Sequence, residues 1–292
     1  MTAQLSNELY DKYYYSNYYS PGDATDYHDQ KHFGPFFAKV ADNIISQLSP
    51  RNVFDAGCAM GYLVTALRHR GVEAFGIDLS EYAINNVSEL ARPFCRTGSI
   101  TEPLPEHYDL VVSIEVLEHL PGTAPQEAIR NLCEHANMVL FSSTPQDFKE
   151  ATHFNVHSQD YWSSLFARHG FLRDLDFDAT FLCPWAMLFR SSRQPLHQVV
   201  RNYERRLNEL AAETRACREL IVEQRSTLVN QASAIANWEN RGLQSHLLTF
   251  AKRHRSLRFI GRLVKKMLRC PGAGPIRRRL GVEPPDSLTA AA

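Results

Sequence analysis

The stretch VFDAGCAMGY, Val53–Tyr62, decides how the rest of the chain is read. A short apolar strand starting at Asn52 closes at Asp55, Gly57 and Gly61 bracket a tight turn, and Tyr62–Leu67 open an amphipathic helix. Glycines in such a turn let backbone approach a ligand closely, and the first amides of the helix point across it. Twenty-three residues after Asp55, the stretch FGIDLS ends a second apolar strand at Asp78. A carboxylate there can accept hydrogen bonds from both hydroxyls of a ribose. The two stretches together imply a nucleoside-type cofactor across the ends of neighbouring parallel strands.

Outward from this centre, strands and helices alternate. Helical spacing runs from Gly34 to Leu48 and stops before Pro50. The turn helix Gly61–His69, the strand Glu73–Asp78 and a helix over Glu81–Leu90 follow, then a short strand near Phe94–Thr97. Next come the strand Tyr108–Val116, the helix Ala124–His135, the strand Asn137–Ser143 and the helix Asp160–His169. FLRDLDFDATFLCPWAMLFRSS reads as two further strands forming an antiparallel edge pair. The pattern predicts an α/β fold. It is a Rossmann-like, seven-stranded, mostly parallel sheet with helices on both faces, followed by a long helix or coiled coil and a basic tail.

The zero net charge conceals an asymmetry. Residues 1–195 hold 14 Lys and Arg against 24 Asp and Glu, and residues 196–292 hold 18 against 8. Four segments result: a Tyr-rich arm and leading helix over 1–50, the sheet domain over 51–195, a long helix or coiled coil over 196–245, and a basic amphipathic segment with a disordered end over 246–292. The arm carries Tyr10, Tyr13, Tyr14, Tyr15, Tyr18, Tyr19 and Tyr27, either packed on the domain or forming a lid over an acceptor pocket. No Gly or Pro occurs from Leu196 to Arg241. There Val200, Leu207, Thr214, Ile221, Leu228 and Ile235 recur every seven residues, beside a second seam of Tyr203, Leu210, Cys217, Gln224, Gln231 and Trp238. That period suits a coiled coil, and with it a homodimer through the long helix, or a helix docked on the domain. Residues 247–280 hold eleven Lys and Arg and no acid, a composition suited to an anionic membrane surface or an acidic protein face. The six cysteines are scattered without a CxxC pair, which argues against a disulfide framework and a zinc site. The first twenty residues lack the basic and apolar regions of a signal peptide, so the expectation is a cytoplasmic protein, peripheral on the inner membrane if the tail engages it.

VFDAGCAMGYL, GIDLSEYAI, TGSI and YDLVVSIEVLEHLP, in register, resemble the successive motifs of class I S-adenosylmethionine-dependent methyltransferases of the small-molecule type. The resemblance implies S-adenosylmethionine as cofactor. It places Asp55, Ala56, Gly57, Cys58, Gly61 and Tyr62 at the loop holding the methionine portion, and Asp78 on the ribose with Leu79 beside the adenine. Ser99 and Ile100 fall at the adenine edge, where many relatives carry an acid that Ser99 replaces. Glu115 falls at the methionine end. The arm, EVLEHLP, the HFNVHSQDYW segment and the trailing helix are also similar to methyltransferases of bacterial polysaccharide and glycoconjugate assembly. This implies a glycan or small-molecule acceptor, methylated on oxygen or nitrogen, and a glycosyltransferase partner.

A base is needed only for a hydroxyl or protonated amine acceptor. His119, His153 and His157 are the candidates, and no metal is expected, because the HFNVH spacing does not sit on a regular helix. A nicotinamide oxidoreductase is disfavoured because GCAMG lacks the third glycine of a dinucleotide cradle. The absence of a (D/N)PPY motif and the acidic body disfavour nucleic acid. The alternative is a non-catalytic scaffold of the same fold, acting through its coiled-coil tail.

Overall fold

The computed structural model describes residues 9–17, 27 and 30–253. A short helix α1 (Lys12–Asn17) and a longer α2 (Gln30–Leu48) precede the sheet. The alternating core then runs β1 (Asn52–Ala56), α3 (Tyr62–His69), β2 (Glu73–Asp78), α4 (Glu81–Asn85), β3 (Cys95–Thr97), β4 (Tyr108–Ile114), α5 (Ala124–Glu134) and β5 (Ala136–Ser142). It closes with α6 (Gln159–Arg168), β6 (Phe171–Arg173) and β7 (Met187–Ser191), and α7 (Leu196–Arg253) follows. The seven strands lie in the order β3-β2-β1-β4-β5-β7-β6. The first five are mutually parallel, while β7 runs antiparallel to both β5 and β6.

The strands are apolar on both faces because helices cover both. Val53, Leu110, Val112 and Leu140 pack beneath α2 and α3 with Val40, Ile44, Leu63 and Leu67. Their neighbours Phe54, Val111, Val139 and Phe141 point the other way, to Ile129, Leu132, Trp162 and Phe166 of α5 and α6. This two-residue alternation is the strand period, and burial on both sides is what a parallel sheet requires. The chain order reverses between β1 and β4, so a crevice opens beyond the C-terminal ends of β1, β2 and β4.

Three boundaries differ from the sequence reading by four residues or more. α4 ends at Asn85 rather than Leu90, because Asn86 caps it and Ser88 turns away to meet Thr65, Oγ to Oγ1 at 2.9 Å. α2 begins at Gln30 and carries Pro35 in its early turns. α7 runs to Arg253, past the expected end at 245. The chain divides into two compact units, Met1–Arg206 and Leu207–Ala292, so the first turns of α7 belong with the sheet. The rest of the basic segment, residues 254–292, and Tyr18 and Tyr19 of the arm lie outside the described residues. No helix among the described residues is long and apolar enough to cross a membrane.

Candidate functional site

The turn after β1 is tied down from β2. The amides of Gly57 and Cys58 both donate to the Ile77 carbonyl, at 2.8 and 2.9 Å. Gly57 sits at φ +92°, and a Cβ there would lie 2.4 Å from Val116 Cγ2, so only glycine closes this turn. Gly61, at φ +67°, starts α3. The Ala59 amide donates to Asp78 Oδ2 and the Ser80 amide to Oδ1, both at 2.8 Å, which fixes that carboxylate in orientation. Burial raises the Asp78 pKa against the lowering effect of these two bonds. Asp55, buried at the end of β1, is pushed up to about 8, first by burial and then by the charge of Asp78. No cation pairs with either acid among the described residues.

These acids face a cavity with about 880 Å³ of free space. Of the residues placed from sequence, Asp55, Gly57, Cys58, Asp78, Leu79, Ser99, Ile100 and Glu115 line it. Ala56 is core, and Gly61 and Tyr62 stand behind the wall, the Tyr62 hydroxyl donating to the Tyr27 carbonyl. Tyr10, Tyr14, Tyr15 and Tyr27 of the arm also line it, as do Ala59, Gly98, Val116 and His119. The arm is latched by the Ser80 hydroxyl, which donates to the Tyr10 carbonyl at 2.5 Å. A narrow cavity with glycine backbone on one wall, aromatic rings on another and two acids lacking a cation fits a nucleoside that carries positive charge.

A second cavity, with about 1420 Å³ of free space, adjoins the first and shares Tyr14, Glu115 and His119 with it. Its other walls come from the loop after β5, including Gln146, Lys149 and Glu150, and from Pro184 and Trp185 ahead of β7. Glu115 has a left-handed φ of 52°, uncommon away from glycine, and its Oε1 accepts the Trp185 indole N–H at 2.8 Å. Glu118 is fully buried. Its Oε1 accepts the Thr144 amide, its carbonyl accepts the Phe154 and Asn155 amides, and its Oε2 has no hydrogen-bond partner. Burial, followed by the Glu115 carboxylate beside it, holds the Glu118 carboxyl well above the usual range.

The three candidate histidines part company here. His119 Nδ1 lies 3.2 Å from the Thr152 carbonyl and 3.1 Å from Thr152 Oγ1, whose own proton goes to Glu150 at 2.6 Å. His119 therefore donates through Nδ1 and keeps its lone pair on Nε2. Burial, then His153, lowers its pKa to about 3, so the ring is neutral. His153 packs against it with ring centroids 4.6 Å apart, its Nδ1 2.8 Å from the Asp147 carbonyl and its Nε2 3.2 Å from Glu150 Oε2. His157 lines neither cavity; its ring stacks on Tyr161 at 3.8 Å. Two overlapping groups, Glu118 with His119 and His153, and Asp147 with Glu150 and His153, bring ligand atoms within 4.8 Å of one another and could hold a metal ion. The His153–His157 spacing weighed in the sequence is not part of either.

Residues 28–173, half of the chain, match the family model described as a methyltransferase domain. Among curated proteins, the chain is similar to a ubiquinone biosynthesis O-methyltransferase of Neisseria meningitidis serogroup C, 31% identical over 39% of this chain and 52% of the relative. The protein of the same name from Methylococcus capsulatus is 31% identical over 36% of this chain and 48% of the relative. The chain spans about half the length of these relatives. Among solved structures, it is similar to the magnesium protoporphyrin IX methyltransferase of Synechocystis PCC 6803 with bound SAM, at 19% identity and a TM-score of 0.47 over 66% of this chain and 100% of that one. With the family match running from α2 to β6, across the glycine turn, both acids and the turn after β4, this chain belongs to the methyltransferase-domain family, whose methyl donor is S-adenosylmethionine.

Proposed function

We propose that the protein transfers a methyl group from S-adenosylmethionine to an oxygen of a small-molecule or glycan acceptor, a nitrogen being the alternative. The observation that carries this reading is the pair of cavities sharing Glu115, His119 and Tyr14 as a common wall. When bound, the donor supplies a methyl group that its positive sulfur has already activated. Gly57, Cys58 and Asp55 would hold the methionine portion, Asp78 the ribose hydroxyls, Leu79 the adenine face, Ser99 and Ile100 its edge, and Glu115 the methionine end. The two acids on the wall of this cavity, Asp55 and Asp78, favour a cationic ligand over a neutral one. Positioning then supplies most of the rate, by holding donor and acceptor in line.

The second cavity suits a hydroxylated acceptor. Gln146, Lys149, Glu150 and Gln159 offer hydrogen bonds around the rings of Trp185 and Tyr14, and such a mixture binds the polar edge and apolar face of a sugar. The O-methyltransferase names of the curated relatives support oxygen as the acceptor atom. Of the three candidate bases we favour His153, which lines the second cavity and whose Nε2 would turn from Glu150 to the acceptor. His119 is too weak a base at neutral pH and orients, while His157 is remote from both cavities. The test is an extract supplied with labelled S-adenosylmethionine, followed by mass spectrometry of the labelled product. A non-catalytic scaffold yields no labelled product and no rise in melting temperature with S-adenosylhomocysteine. Saturation at a hundred times the dissociation constant adds about 2.7 kcal/mol.

A second reading gives the cluster a divalent cation, favoured by the fully buried Glu118 carboxyl, whose ligand atom lies within 4.8 Å of those of His119 and His153. Exhaustive chelation that abolishes turnover, with recovery on adding one divalent metal, supports it; unchanged turnover sinks it. For the segment 247–292 we propose docking on a glycosyltransferase or an anionic membrane. Its removal is expected to spare turnover on a free acceptor and to abolish co-sedimentation.

A further inference from the structure

Methyl transfer makes no use of the longest element in the molecule. Within Leu207–Ala292, every residue of α7 from 211 to 238 is exposed. One seam of this surface is Leu207, Thr214, Ile221, Leu228 and Ile235. The other is Leu210, Cys217, Gln224, Gln231 and Trp238, with Trp238 77% and Leu228 64% exposed. None of these ten positions carries a charge, whereas seven of the other twenty-two between 207 and 238 do. Isolated helices draw little stability from propensity, and most helices are held by packing an apolar face. This stripe, about 47 Å long at 1.5 Å per residue, packs on nothing among the described residues.

We propose that α7 pairs with α7 of a second copy of this chain as a parallel, in-register, two-stranded coiled coil. In that register like meets like. Gln224 and Gln231 face their own copies and can exchange amide hydrogen bonds, while Ile221, Leu228, Ile235 and Trp238 form apolar layers. An antiparallel pairing over the same span sets Gln224 against Ile221, burying an amide without a partner. The parallel register also brings Glu213 of one copy beside Arg218 of the other, an attractive pair flanking the seam. Cys217 meets Cys217 across the axis, at positions whose backbones lie within disulfide reach.

The full chain carrying Cys270→Ser is the test material. Light scattering is expected to give twice the chain mass. Mild oxidation with oxidised glutathione should convert two Cys217 thiols to one disulfide, their two electrons and two protons reducing one glutathione disulfide to two thiols. A covalent dimer then appears on a non-reducing gel and is lost in Cys217→Ser. The double variant Ile221→Glu, Leu228→Glu should halve the mass while leaving the melting shift with S-adenosylhomocysteine intact. A monomeric mass for the starting protein overturns the pairing, and a mass of three chains overturns the two-stranded form. A dimer that gives no Cys217 cross-link overturns the parallel register.

Discussion

Asp78, half-buried, and Glu118, fully buried, are acids beyond the ends of parallel strands, yet the fold treats them differently. Both oxygens of Asp78 are occupied by amides from its own neighbourhood, Ala59 across the turn and Ser80 two residues on. Glu118 has one oxygen on a distant amide, Thr144, and its carboxyl stands beside that of Glu115. The first acid is held ready by local backbone before any ligand arrives. The second is held by residues distant in sequence, with His119 and His153 close by.

The largest expected effect breaks the second region. His153→Ala should lower kcat by about a hundredfold to ten-thousandfold, the usual worth of a positioned base. S-adenosylhomocysteine affinity, read by calorimetry, should be unchanged, and His157→Ala should keep near-normal turnover. A His153→Ala enzyme with full kcat removes this residue from the chemistry. Next, Gly57→Ala attacks the first region through its turn. The strained φ and the contact with Val116 should cost about 3 kcal/mol in a denaturant titration and abolish donor binding. A stable variant that still binds means Val116 can yield. Asp78→Ala should weaken donor binding by about 2–3 kcal/mol, because two ribose hydroxyls lose a charged partner. An unchanged dissociation constant refutes the placement.

The last effect is one of pH. The Asp55 carboxyl titrates near 4 in the unfolded chain and at about 8 in the folded one. Between these values the folded protein holds a proton that the unfolded chain has released. Its stability contribution is present at low pH and lost as pH rises through about 8. Denaturation midpoints of the ligand-free protein should fall between pH 5 and 8, less steeply in Asp55→Asn. Equal slopes for the two proteins place the titration elsewhere.

The first region was legible because its parts are close in sequence. Gly57, Gly61 and Asp78 belong to two consecutive strand–turn–helix units, and backbone geometry dictates their residue types. Val116, which makes glycine obligatory at 57, comes from a different strand end, and nothing near the turn announces it. The cluster at Glu118 was only half legible. His119 and His153 stand out as residue types, but their partnership is set by the Glu118 carbonyl that holds Phe154 and Asn155, a contact no local pattern encodes. The sequence reading set aside a His153–His157 pair because their spacing does not fall on a regular helix, and in the structure the His157 ring stacks on Tyr161. Trp185 was missed altogether. It lies between two short edge strands, and its indole becomes meaningful only once antiparallel β7 returns it to Glu115.

The hold on that loop has a consequence for how such a protein can change. Glu118 grips residues 154 and 155 through main-chain groups that every amino acid except proline can supply. Side chains along the loop, Gln146 and Lys149 among them, can therefore be exchanged without moving its anchor. Under the proposed function, acceptor preference can be rewritten one residue at a time, while the donor side, locked by glycine, stays as it is.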